Sequence, residues 1–93
     1  MPYIITQYTK DKAKKLGVRV ETSLVQGKKI DVYNKADKKV ASIGQFGAGD
    51  YPTYMKTKGK AFARERRRLY RIRHAGENMD TGSPGFYAWH LLW

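Results

Sequence analysis

The cations of one short stretch are the side chains best suited to do chemistry. Arg64, Arg67, Arg68 and Arg71 recur at the i, i+3, i+4, i+7 spacing that gathers side chains on one side of a helix. Lys60 and Lys56 precede them by one and two turns. Four guanidinium groups spaced in this way form a stripe about 10 Å long, at 1.5 Å of rise per residue. Arg keeps its charge and offers a planar fork, so such a stripe matches a row of phosphates or of carboxylates. A solvated helix face normally mixes signs in i, i+4 pairs. This stripe contains no acid, and the sequence therefore predicts an anion-binding surface. Nucleic acid and an acidic protein surface fit it equally.

Phe86, Trp89 (or His90) and Trp93 form a second group at helical spacing. They close the core of a small domain, or they dock into another protein or stack on unpaired bases beside the stripe. On the basic helix, Ala61, Phe62, Leu69 and Ile72 share one sector opposite the Arg stripe, so that sector is expected to face inward. Glu65 falls within it, where a carboxylate is costly unless paired. A buried ion pair or Tyr hydrogen bond is the expected role, ahead of a catalytic carboxylate.

Catalytic constellations fail on their partners. His74 and His90 lack a third ligand at a metal spacing. Asp31 with Asp37-Lys38-Lys39 echoes the carboxylate-and-lysine layout of metal-dependent nucleases, but its second acid sits in turn chemistry. Arg71, Arg73 and His74 echo tyrosine recombinases, which need a much larger domain. Ser23, Ser42 and Ser83 have no base in a triad-like arrangement. Gly44, Gly47 and Gly49 precede a helix start but lack the Gly-Lys-Ser/Thr ending of a P-loop. No catalytic residue, metal, cofactor or small-molecule substrate is expected.

The elements that must carry these residues come from one domain, residues 1–93, since 93 residues is a single domain's length. With 19 Lys and Arg against 8 Asp and Glu, the net charge is +11. Residues 1–52 carry ten basic and five acidic groups, residues 53–75 nine and one, and residues 76–93 none and two. The chain is a mildly basic front, an intensely basic middle and an aromatic tail, as suits a surface that meets something anionic. Seven Tyr, three Phe and two Trp give enough apolar surface for a small core. Zero Cys excludes a disulfide framework and a thiolate site. No apolar run approaches the ~20 residues of a membrane span, and Met1 to Thr6 lacks the form of a signal peptide.

Periodicity and turn chemistry predict an α+β fold, a small antiparallel meander of about three strands followed by helices. Tyr3–Thr6 reads as a short strand, and Lys10–Leu16 as a helix capped by Thr9 and stopped by Gly17. Val18–Glu21, Lys28–Asn34 and Val40–Ile43 alternate as strands, the last two joined by a turn at Asn34–Asp37. Gly44–Gly49 reads as a loop. Asp50 caps a helix with Pro52 in its first turn, and Gly59 either interrupts that helix or sits within it. The basic helix spans Lys60–His74 and stops at Gly76, with a polar loop to Gly82. Ser83-Pro84 opens a short C-terminal aromatic helix.

The second half carries a family resemblance. Gly49-Asp50-Tyr51-Pro52-Thr53-Tyr54, Arg66-Arg67-Arg68-Leu69-Tyr70, Arg73-His74 and Gly82-Ser83-Pro84-Gly85-Phe86-Tyr87-Ala88, closing on Leu92-Trp93, are its motifs. They resemble short basic proteins encoded by large DNA viruses of algae and protists, the chlorella-virus group and its relatives. The resemblance covers roughly residues 28–93, and Trp89-His90 stands where a more polar pair is expected. It brings no catalytic residue, cofactor or activity. It implies a virion protein made inside the host cell and not secreted. Such a protein would be a minor capsid or cementing component with acidic protein neighbours, or a sequence-neutral binder of the DNA or RNA phosphate backbone.

Overall fold

The computed structural model describes residues 3–75 and 81–93. The expected stop at Gly76 and the loop over 77–80 lie outside them. The fold is α+β, a three-stranded antiparallel sheet with four helices. Its Cα radius of gyration is 12.7 Å, close to the ~13 Å of a 100-residue domain.

Helix α1 spans Gln7–Leu16 and ends on Gly17, whose φ of 74° supplies the left-handed turn of a C-cap. It starts a turn earlier than the sequence predicts. Thr6 is the N-cap, accepting from the Thr9 N–H, while Thr9 is buried and its hydroxyl donates to the Leu91 carbonyl at 2.8 Å. Nor is Tyr3–Thr6 a strand. Side chains hold this segment instead of a ladder: the Tyr3 hydroxyl donates to Asp50 and the Thr22 hydroxyl to the Tyr3 carbonyl.

Strands β1 (Arg19–Thr22), β2 (Lys28–Tyr33) and β3 (Lys39–Gln45) pair in sequence order. Ile30 lies opposite Ile43 and Val32 opposite Ala41, so alternation buries these four side chains together. The β2–β3 turn forms as the residues predict: the Asn34 carboxamide oxygen accepts from the Ala36 and Lys38 N–H groups. β3 runs two residues further than expected, through Gly44 and Gln45, because Gln45 pairs with Lys28. The loop therefore begins at Phe46.

Helix α2 (Tyr51–Thr57) starts on Asp50, whose carboxylate accepts from the Thr53 N–H at 2.9 Å. Gly59, at φ 93°, breaks the chain between α2 and α3 (Lys60–His74) and lets the two pack together. Helix α4 (Pro84–Leu92) is capped by Ser83, as its Ser-Pro start predicts. It packs on β3 and on α1, which also packs on β1. Leu91, Leu92 and Trp93 join Ile30, Val32, Ile43, Tyr51, Ala63 and Tyr87 in the core.

Candidate binding interface on helix α3

The position of α3 depends on a buried ion pair beneath its neighbour. Lys29 and Asp50 are 3% and 0% exposed, and their Nζ–Oδ2 distance is 2.8 Å. Asp50 also accepts from the Tyr3 hydroxyl, and Lys29 also donates to the Ala48 carbonyl. Burial and the adjacent carboxylate hold the Tyr3 hydroxyl well above its ordinary range, so it stays a donor. Every charge in this cluster is matched, which is what burial demands. It fixes the loop before α2, and α2 carries α3.

The face that α3 turns inward is not the one its apolar periodicity predicts. Ala63 is fully buried, and Arg67, Tyr70, Arg71 and His74 are half-buried beside it. Tyr70 stacks on Trp93 with ring centres 4.4 Å apart and planes within 9°. The Arg67 guanidinium lies 4.0 Å from the centre of the Tyr51 ring. That of Arg71 lies 5.5 Å from Trp89 and donates to the Trp93 carbonyl. Arg stems are apolar, and guanidinium planes stack on aromatic faces, so these two arginines serve as packing residues.

The expected stripe is therefore divided. Arg64 and Arg68 stand in solvent, whereas Arg67 and Arg71 are engaged with the body of the protein. All four still border one shallow depression of about 430 Å³ beside Ile72 and Ala75. Lys56 and Lys60 are exposed, and among the described residues neither has an acidic partner.

Rotating the helix brings the predicted inner sector outward. Phe62 is 43% and Ile72 58% exposed, Ala61 is exposed, and Leu69 is half-buried between them. Glu65 is also exposed, in place of the expected buried pair, and both its oxygens accept from Arg68 one turn on. Arg68 holds the Glu65 carboxyl below the usual carboxylate range. The outward face is thus an apolar ridge with Arg64 and Arg68 on one side and Arg66 and Arg73 on the other. A second exposed apolar surface is a groove of about 960 Å³ between residues 3–8, Phe46–Ala48 and α2, where Ile4, Phe46 and Met55 reach solvent.

The aromatic tail closes the core. Trp93 is 9% exposed and held by Tyr54 and Tyr70. Trp89 and Phe86 are half-buried, Trp89 under Arg71 and Phe86 against His90. Burial, with Lys12 and Arg71 nearby, pushes the His90 imidazole below its ordinary value of about 6.5. The neutral ring is therefore favoured in the folded state. Its contribution to stability is present above pH ~6.5 and lost as pH falls through the lower folded value. Between pH 7.5 and 5 the urea midpoint of the native chain is expected to fall further than that of His90→Gln. Parallel losses in the two proteins would remove His90 from the account.

The remaining candidates have structural roles. Asp31 is 1% exposed and accepts from the Ser23 and Ser42 hydroxyls and the Leu24 N–H. Burial raises its pKa, but these donors and Lys39 outweigh it, so the carboxyl sits below its ordinary value. Asp37 lies in the turn, at φ 63°, and pairs with Arg19. Among the described residues no three His, Asp or Glu side chains gather as a metal site, and no helix is long and apolar enough to cross a membrane. No family model, curated protein or solved structure matches this chain.

Proposed function

We propose that this chain is a non-enzymatic viral structural protein, a minor capsid or cementing component that docks on an acidic protein neighbour through the outward face of α3. The observation that carries this reading is the Phe62–Leu69–Ile72 ridge exposed between two rows of Arg. Protein interfaces join aromatic and aliphatic anchors to Arg, with a charged rim around them. A phosphate backbone offers nothing to an apolar ridge. The resemblance to short basic proteins of large DNA viruses supplies the setting, a virion assembled in the host cell. Trp93 of the aromatic tail, expected to dock, is buried and stacked on Tyr70, so this reading places the docking on α3.

Nucleic-acid binding is the second reading, favoured by the four arginines around one depression. Two measurements separate the readings. Binding to a labelled 20-base-pair duplex is expected to vanish near ~0.15 M salt, since nonspecific attraction is screened there. Incorporation of a tagged copy into particles is expected to be lost in the Ile72→Ser variant, whose side chain is 58% exposed and whose melting temperature should change little. Submicromolar duplex binding at ~0.15 M salt would sink the capsid reading if Arg64→Gln/Arg68→Gln flattened its log–log salt slope by about 1.8.

A further inference from the structure

A cleft of about 860 Å³ opens between the body of the protein and the flank of α3 that carries Arg66 and Arg73, the row that borders the outward ridge on that side. One wall is Arg66, Arg73 and His74 of α3, the other is the glycine-rich segment from Gly44 to Gly49, and Tyr54, Tyr70 and Trp93 contribute the aromatic surface. Arg66 and Arg73 are seven residues apart, so two helical turns, about 10.5 Å of rise, carry them on the same side. Among the described residues neither arginine forms an ion pair. Among the described residues the cleft holds one carboxylate, that of Asp50, which is fully buried and committed to Lys29, Tyr3 and the Thr53 N–H. Its charge is therefore already matched, and the two guanidinium groups leave the cleft with a net positive wall.

We infer that this cleft binds an organic polyphosphate about the size of a nucleoside triphosphate. Guanidinium forks pair bidentately with phosphate, and two forks two turns apart suit a chain of phosphates better than a single one. The volume lies within the ~300–1,000 Å³ of small-molecule sites and far exceeds what a bare phosphate fills. The rest of the ligand would lie along the aromatic side. The opposite wall approaches closely because it is glycine: a Cβ on Gly49 would overlap the Tyr54 ring, so the loop lies directly on that ring. At Gly47 a Cβ would meet open space.

The test is calorimetric titration of the full chain at ~0.15 M salt with ATP, with tripolyphosphate and with a single-stranded decanucleotide. Two variants with the same loss of charge are compared, Arg66→Gln/Arg73→Gln and Arg64→Gln/Arg68→Gln. All four side chains are exposed, so both variants should fold. The expected result is saturable ATP binding, tighter than tripolyphosphate, weakened about tenfold or more by the first pair and less than about threefold by the second. Equal weakening by both pairs would overturn the inference, since that is the behaviour of diffuse attraction to a +11 chain. So would tripolyphosphate matching ATP, no saturation below about 1 mM, or a decanucleotide binding far more tightly through Arg66 and Arg73. Arg66 and Arg73 also border the outward ridge, so failure of the capsid reading is read separately, from incorporation of the Ile72→Ser variant, which leaves both arginines in place.

Discussion

Asp50→Ala is expected to lower the unfolding free energy by about 4–6 kcal/mol. Removing one member of a buried pair costs about 3–5 kcal/mol, because the other charge stays buried and uncompensated. Here that charge is Lys29, 3% exposed, left with the Ala48 carbonyl and the Tyr3 ring, 5.3 Å from its Nζ. Loss of the N-cap of α2 adds about 1 kcal/mol. A domain of this size has roughly 5–14 kcal/mol in total, so the variant should be largely unfolded at 37 °C. Asp50→Asn keeps the cap and isolates the charge, while Lys29→Met/Asp50→Asn removes both charges and should recover most of the loss. Urea titrations of the three variants check this. A cost below about 1 kcal/mol for Asp50→Ala would show that Lys29 reaches water when its partner is gone.

Trp93→Ala is expected to cost about 3–5 kcal/mol, the usual range for truncating a buried aromatic. Its ring stacks on Tyr70 and meets Tyr54, and such pairs add about 0.5–1.5 kcal/mol beyond burial. Tyr70 belongs to α3 and Trp93 follows α4, so the loss should loosen both helices. Trp89→Ala, from a half-buried site under Arg71, should cost about half as much. Thermal melts followed by near-ultraviolet circular dichroism rank the two. If Trp93→Ala melted with the native chain, Trp93 would have to be reassigned from the core to a partner.

Local chemistry made much of the fold legible. Alternation set Ile30 and Val32 on one face, Asn34 made the turn, and Asp50 and Ser83-Pro84 marked helix starts where helices start, while Gly59 alone did not say whether a helix broke there. The rotation of α3 was not legible, and the reason lies in Arg67 and Arg71. Periodicity counts an arginine as polar, yet each of these lays a flat cation on an aromatic ring from a distant part of the chain. Once they and Tyr70 face inward, Phe62 and Ile72 must face out, and Glu65 with them. The Lys29–Asp50 pair was hidden for a similar reason. Its members lie 21 residues apart, in a strand and at a cap, and only the path of the loop between them brings them together. Thr9 read as a cap because its partner, the Leu91 carbonyl, is 82 residues away.

That last contact belongs to a seam with consequences for how the chain folds. The Thr9 hydroxyl reaches the Leu91 carbonyl, and the Tyr8 hydroxyl reaches that of Trp93, 85 residues further along the chain. Joining the ends of a flexible loop of that length costs about 4 kcal/mol of chain entropy, more than two hydrogen bonds return. The seam therefore closes late, after the β2–β3 hairpin and the α2–α3 pair have shortened the path. Contacts absent from the folding transition state act on the rate of unfolding. The α1–α4 seam is thus expected to act as a kinetic latch: Thr9→Val should speed unfolding while leaving the folding rate nearly unchanged.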